Sequence, residues 1–128
     1  MTEPTVPQKS KGGLGRLFKA LRYSWQGLRA AIRHEAAFRQ ELLLVTPLAV
    51  AAPWVARSAW ELLALLGVLL AVLVVELLNS GLEALADAVS LEQRALLGRA
   101  KDLGSAAVLL TLLLAAAVWG VALWQRFS

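Results

Sequence analysis

The first part of the chain has an apolar stripe at helical spacing. From residue 14 onward, apolar side chains recur at the periodicity of an α-helix, and basic side chains lie away from them. The apolar set is Leu14, Leu17, Phe18, Leu21, Trp25, Leu28 and Ile32, and the basic set includes Arg16, Lys19, Arg22, Arg29 and Arg33. A helix with this asymmetry lies on a membrane surface. The pattern therefore predicts a surface helix over about residues 14–38, after a disordered tail at residues 1–13.

Three later stretches carry no charged residue. They cover residues 42–56, 62–75 and 106–124. The last reaches the roughly 20 residues that a helix needs to cross a bilayer, and the other two reach that length when their flanks are added. The pattern predicts three transmembrane helices, at about residues 40–56, 60–89 and 103–124. Pro47 and Pro53 fall inside the first, where each removes a helical hydrogen bond, so we expect that helix to bend.

The composition agrees with a membrane protein and excludes several kinds of site. Of 128 residues, 59 % are hydrophobic and 17 % are charged, whereas soluble domains keep about a quarter of their residues charged. The absence of cysteine excludes disulfides and thiolate metal sites. The net charge of +4 comes from basic residues beside apolar stretches, which favours an anionic lipid surface over nucleic acid as a partner. The predicted fold class is an all-α membrane protein with one domain over residues 14–124.

The distribution of basic residues predicts the orientation of the spans. Eight of the 13 lysine and arginine residues precede the first span. The loop between the second and third spans adds Arg94, Arg99 and Lys101, while the loop between the first and second contains only Arg57. Because basic loops stay on the cytoplasmic side, the N-terminus is predicted to be cytoplasmic and the C-terminus to lie outside.

A stripe of polar residues follows the second apolar stretch. Glu76, Glu83 and Asp87 share one narrow sector of a helix, and Asn79 lies beside them. At ~1.5 Å per residue, Glu76 lies ~24 Å along the helix from Trp60, which is inside the cytoplasmic edge of a ~30 Å hydrocarbon layer. An acid at the centre of a span costs about 2.5–3.5 kcal/mol and less near its edge. Such carboxylates either satisfy each other through helix–helix hydrogen bonds or form a site, and four polar groups on one stripe favour a site for a base and a metal ion.

Two further polar groups border the predicted spans. One lies where the surface helix meets the first span and comprises Glu35, Arg39, Gln40 and Glu41. The other, just before the last span, contains Arg99, Lys101 and Asp102. Together with the stripe they supply carboxylates for Mg²⁺ and for a base, and cations for phosphate, which phosphoryl transfer requires. The sequence has neither a Walker motif nor a kinase glycine-rich loop, so any nucleotide site differs from both common classes.

Four segments of the chain resemble the small prokaryotic diacylglycerol kinase family. They are YSWQGLRAA at residues 23–31, EAAFRQE at residues 35–41, ELLNS at residues 76–80 and GRAKDLGSAAV at residues 98–108. The resemblance extends over about residues 14–124. It implies a homotrimer of three-span subunits in the bacterial inner membrane, with a periplasmic C-terminus and active sites between subunits.

The resemblance also implies a role for individual residues. Glu76 would be the general base that takes the proton from the lipid hydroxyl, and Glu35 and Glu83 would hold the Mg²⁺ that accompanies ATP. The nucleotide would be contacted by Arg16, Tyr23, Glu92, Gln93, Arg94, Lys101 and Asp102, in addition to the two metal-binding glutamates. The lipid hydroxyl would lie near Asn79 and Ser105, and the lipid site would be lined by Glu35, Ala37, Phe38, Arg39, Gln40 and Glu41.

The function implied is the ATP-dependent phosphorylation of diacylglycerol to phosphatidic acid at the cytoplasmic membrane face. Two alternatives stay open, namely an undecaprenol kinase on the same scaffold and a non-enzymatic membrane adaptor. The run from Phe38 to Glu41 and the Gly98–Arg99 pair resemble the diacylglycerol branch more closely. One departure from the family is His34, where relatives typically carry Asn beside the first metal-binding glutamate.

Overall fold

The computed structural model describes residues 12–89 and 94–128. Within these ranges the chain forms four helices, α1 (Gly13–His34), α2 (Ala36–Val55), α3 (Ala59–Ala88) and α4 (Arg94–Phe127). The described residues contain no strand, so the predicted all-α class is confirmed. The predicted tail lies outside the described residues except for Gly12 and Gly13, and Gly13 already belongs to α1.

The chain divides into two units, one ending at His34 and the other running from Glu35 to Ser128. The described part of the first unit is essentially α1, which is exposed along nearly its whole length. Its apolar and basic residues separate onto different faces, as the sequence pattern predicts. The helix ends at His34 because Glu35 has an extended backbone, with φ of −111° and ψ of 104°. The surface helix and the first predicted span are therefore two helices separated by a single non-helical residue.

The second unit is built by α2 and α4 packing against α3. Its apolar core is formed by Val45, Ala52, Val55, Leu65, Leu69, Trp119 and Ala122. Inside this core the indole Nε1 of Trp119 donates a hydrogen bond of 3.2 Å to the backbone carbonyl of Leu65. A buried indole N–H needs such a partner, and here the bond links α4 directly to the backbone of α3.

Hydrogen bonds also connect the α2–α3 turn with the end of α4. Ser58 caps α3, since its Oγ accepts a 3.0 Å hydrogen bond from the backbone N–H of Glu61. Arg126 donates from Nε to the carbonyl of Trp54 at 3.0 Å, and Arg57 donates from Nη1 to the carbonyl of Gln125 at 3.4 Å. The last carbonyls of a helix have no hydrogen-bond partner within that helix. The two arginines therefore donate hydrogen bonds to carbonyl groups near the ends of α2 and α4.

Two helices, α3 and α4, are long and apolar enough to cross a membrane. Of the three predicted spans, the described residues thus provide two that qualify by length and composition. In α2 the first turns contain the polar residues Arg39, Gln40 and Glu41, which shorten its apolar part. The helix nevertheless continues through Pro47 and Pro53 without a break.

We predict that Trp119→Phe destabilises the packing of α4 against α3. The substitution removes the donor to the Leu65 carbonyl and some buried volume, so we expect a loss of about 1–2 kcal/mol in the free energy of unfolding. Unfolding by sodium dodecyl sulfate in mixed micelles measures this value. Trp124→Phe is the matched control because Trp124 is 74 % exposed. Equal stability of both variants would contradict the prediction.

Candidate active site

The buried polar residues of α3 form the centre of the candidate site. Glu76, Asn79 and Ser80 are 4 %, 7 % and 8 % exposed, and Glu76 lies one helical turn beyond the buried apolar residue Val72. Their spacing places them on the side of α3 that packs against the neighbouring helices. The described chain therefore encloses a carboxyl group, an amide and a hydroxyl in a helix that otherwise buries apolar residues.

Three further glutamates lie near Glu76. The carboxyl groups of Glu76 and Glu41 lie within hydrogen-bonding reach of each other, which brings α3 and the start of α2 together. Glu35 and Glu83 both lie near enough to act electrostatically on Glu76. A carboxylate can only accept hydrogen bonds, so a hydrogen bond between Glu41 and Glu76 would require a proton on one of the two. Glu35 and Glu41 belong to the polar group that precedes the first apolar stretch. The structure thus places this group beside the polar stripe of α3.

Asn79 connects this cluster to α4. Its Nδ2 donates a hydrogen bond of 3.1 Å to Oε1 of Glu83, while its Oδ1 is buried without a hydrogen-bond partner. The amide oxygen points to Gly104, which is buried on the facing side of α4. Sequence reasoning assigned no role to Gly104. The sequence did offer a signal for this residue, namely a glycine within a predicted helix. Glycine in the interior of a helix usually has a packing or functional reason.

The charged residues near the start of α4 form a separate group. Lys101 Nζ lies 2.6 Å from Oδ1 of Asp87, and the two side chains are 44 % and 67 % exposed. These residues and Arg94 line a cavity of about 260 Å³ together with Ala86, Leu97 and Gly98. Lys101 and Arg94, both expected to contact the nucleotide, therefore share one cavity. Asp87 belongs to this cavity as the partner of Lys101, and it is far more exposed than Glu76.

The remaining residues expected in the site have different surroundings. Phe38 is buried, with 2 % exposure, so within the described chain it packs in the interior. Arg16 and Tyr23 are exposed on α1, which is a unit of its own. Others are also exposed: Ala37, Arg39 and Gln40 on α2, and Asp102 and Ser105 on α4. Glu92 and Gln93 lie outside the described residues.

The carboxylates fit a magnesium ion that is bound together with a nucleotide. Among residues 12–89 and 94–128, no group of three or more His, Asp and Glu side chains is placed to hold a metal ion. Mg²⁺ in nucleotide sites usually has one or two carboxylate ligands, and phosphates and water supply the others. The Glu35 and Glu83 carboxylates beside Glu76 provide hard oxygen donors of this kind.

The model of the prokaryotic diacylglycerol kinase family matches residues 22–123. The chain belongs to this family. It is 45 % identical over 116 residues to diacylglycerol kinase of Escherichia coli K12, which covers 91 % of this chain and 95 % of that relative. Diacylglycerol kinase of Pseudomonas aeruginosa is 44 % identical over 117 residues, covering 91 % and 95 % of the two chains. The relative from Haemophilus influenzae, also a diacylglycerol kinase, is 38 % identical over 108 residues, or 84 % and 92 % of the two chains.

Membership of the family makes the chain a kinase. Together with the two long apolar helices, it also makes the kinase a membrane protein. The predicted family and the predicted enzyme class are therefore confirmed. All four segments on which the resemblance rests lie within the matched region.

We predict that Asp87→Asn weakens ATP binding by the kinase. The substitution removes the negative charge that holds Lys101 at the edge of the cavity, so the KM for ATP should rise severalfold while kcat at saturating ATP changes little. The free energy of unfolding should change by less than about 1 kcal/mol because the pair is exposed. Asp87→Glu retains the charge and is the control. An unchanged KM in Asp87→Asn would show that the ion pair does not position Lys101.

Proposed function

We propose that this kinase transfers the γ-phosphoryl group of ATP to the hydroxyl of diacylglycerol, giving phosphatidic acid at the cytoplasmic face of the bacterial inner membrane. The observation that carries the proposal is the buried Glu76 carboxyl, which stands at the end of an apolar run and has Glu35, Glu41 and Glu83 around it. The relatives named diacylglycerol kinase, matched over nearly their full length, support the choice of lipid.

Glu76 is the general base in this proposal. It accepts the proton of the lipid hydroxyl as the oxygen attacks the γ-phosphorus, and the bond from that phosphorus to the β,γ-bridging oxygen breaks. A base must be ionised beforehand, so the proton of a Glu41–Glu76 hydrogen bond belongs to Glu41, which donates it towards Glu76. Asn79 and Ser105 lie near the lipid hydroxyl in the same proposal, and the segment from Glu35 to Glu41 lines the lipid site.

The phosphates are neutralised by a bound cation and by basic side chains. Glu35 and Glu83 would hold Mg²⁺, which would supply positive charge to offset the negative charge of the transferred phosphate. Lys101 and Arg94, which share the cavity at the start of α4, bind the nucleotide. The other proposed nucleotide contacts are Arg16, Tyr23, Glu92, Gln93 and Asp102.

We further propose that α2 is the third membrane crossing and that the kinase is a homotrimer with active sites between subunits. The N-terminus is cytoplasmic and the C-terminus periplasmic. The proposal is supported by the large apolar side chains that α3 and α4 leave exposed, among them Leu70 at 62 % and Leu110 at 65 %. It is also supported by the exposure of Asp102 and Ser105, because a site between subunits needs side chains that one subunit does not cover.

The substrate is tested by offering the purified kinase diacylglycerol and undecaprenol together in mixed micelles with Mg-ATP. We expect phosphatidic acid to be the main labelled product when the ATP carries a radioactive γ-phosphate. Preferential labelling of undecaprenol would assign the chain to the other lipid, and no labelling of either lipid would favour the adaptor.

We predict that Glu76→Gln abolishes most of the kinase activity. Removal of a positioned base typically slows a reaction by about 10²–10⁴-fold, and glutamine keeps the size of the side chain, so insertion and folding should be retained. Initial rates of diacylglycerol phosphorylation measure the effect, and circular dichroism checks the helix content. A variant with the activity of the unmodified kinase would remove Glu76 from the mechanism.

We predict the opposite result for Glu41→Gln. Glutamine can donate an N–H to the Glu76 carboxylate as the protonated Glu41 does, so most of the activity should remain. Glu41→Ala removes the donor and should lower kcat by roughly tenfold, which corresponds to about 1.4 kcal/mol of barrier height. If Glu41→Gln and Glu41→Ala lost activity equally, the donor role of Glu41 would be excluded.

A further inference from the structure

We propose that Gly104 is a positioning residue of the active site. Its lack of a side chain gives the Asn79 amide room against α4, and Asn79 in that position holds the carboxylate of Glu83. The inference rests on the proposed role of Glu83 as a ligand of Mg²⁺, and it adds a residue on a different helix that controls this ligand. Gly104 acts through Asn79 and touches neither the metal ion nor the substrates.

The steric case for Gly104 is specific to this position. A Cβ atom on residue 104 would overlap Oδ1 of Asn79 and lie 3.3 Å from both Cγ of Asn79 and Cδ1 of Leu82. A Cβ atom on Gly67 of α3, or on Gly98 or Gly120 of α4, would have nothing within 4 Å. The backbone at Gly104 is helical and has no positive φ, so conformation does not require glycine there. A helix interior favours alanine over glycine, and the close approach of Asn79 supplies the reason for glycine.

The orientation of the Asn79 amide follows from its two neighbours. On one side its Nδ2 donates to Oε1 of Glu83 at 3.1 Å, and on the other its Oδ1 faces Gly104 without a hydrogen-bond partner. Reversing the amide would place its oxygen against the carboxylate oxygen and lose the only hydrogen bond that the side chain makes to Glu83. The orientation of the Asn79 amide is therefore fixed from two sides. The α4 backbone packs closely against its oxygen, and the Glu83 carboxylate accepts a hydrogen bond from its N–H.

A methyl group at residue 104 would break this arrangement. The side chain of Asn79 is 7 % exposed and lies between two helices, so it can avoid the new Cβ only by rotating away from its present position. Rotation separates Nδ2 from Glu83 and removes the hydrogen bond that orients the carboxylate. Residues that orient a metal ligand in this way typically contribute about 10–100-fold to metal affinity or activity.

The test is a double-mutant cycle with the full-length kinase in detergent micelles. The variants are Gly104→Ala, Asn79→Ala and their combination, with Gly120→Ala as the matched control on the same helix. The apparent melting temperature reports the steric contact. Binding of Mn²⁺ in the presence of a non-hydrolysable ATP analogue, followed by electron paramagnetic resonance, reports the orientation of Glu83 without any turnover.

Gly104→Ala should lower the melting temperature and weaken Mn²⁺ binding by about 10–100-fold. Gly120→Ala should leave Mn²⁺ binding unchanged and should not lower the melting temperature, because alanine is favoured over glycine in a helix interior and a Cβ there has nothing within 4 Å. In the combined variant the melting temperature should recover, because the alanine side chain at position 79 no longer meets the new Cβ. Its Mn²⁺ affinity should equal that of Asn79→Ala alone, since residue 104 acts only through Asn79.

Two results would overturn the inference. One is a Gly104→Ala variant that binds Mn²⁺ as tightly as the unmodified kinase, and the other is a combined variant whose melting temperature stays as low as that of Gly104→Ala. The melting experiment needs neither lipid nor nucleotide. A failure of the unmodified chain to phosphorylate diacylglycerol would therefore reject the proposed function, while the contact between Gly104 and Asn79 is judged by the melting temperatures alone.

Discussion

The close approach of the Glu41 and Glu76 carboxyl groups is the interaction on which the rest of the site depends. A buried carboxyl group is costly unless it has hydrogen-bond partners, and Glu76 is almost fully enclosed in a helix that is otherwise apolar. Glu41 provides the partner, and it reaches Glu76 only because α2 begins at Ala36 and packs against α3. The same packing brings Glu35 and Glu83 near Glu76, so one helix contact assembles the acidic cluster of the proposed mechanism.

The two ends of the packed unit are stabilised in different ways. Near the α2–α3 turn, apolar residues and the Trp119–Leu65 hydrogen bond form a core with few charges. Towards the start of α4, the contacts involve Asn79, Glu83, Asp87 and Lys101, which are polar or charged. The apolar end supplies much of the packing that holds the helices together. The polar end can therefore contain the charged and polar side chains of the candidate site.

Much of the fold could be predicted from the sequence because periodicity and charge-free length directly reflect helices and spans. The resemblance identified the family for a similar reason, since its motifs lie on the polar positions of those helices. The break at Glu35 was not predicted, because a single extended residue leaves no signature in hydropathy. The polar group from Glu35 to Glu41 was assigned to the same site as the stripe of α3 by its chemistry, and the specific contact between Glu41 and Glu76 could not be derived. Both residues directly border charge-free stretches, and which helix faces meet depends on packing between distant parts of the chain.

The contacts at Gly104 and at Trp119 have a joint consequence for movement. Both join α4 to α3, and at about 1.5 Å per residue they lie roughly 22 Å apart along the axis of α4. Sliding or turning α4 relative to α3 would separate the Trp119 indole from the Leu65 carbonyl and would also bring side chains of α4 onto Asn79. These two helices consequently have one fixed register. Within the proposed function, this register keeps Glu76, Asn79 and Glu83 of α3 in a constant position relative to the start of α4, where Lys101 lies.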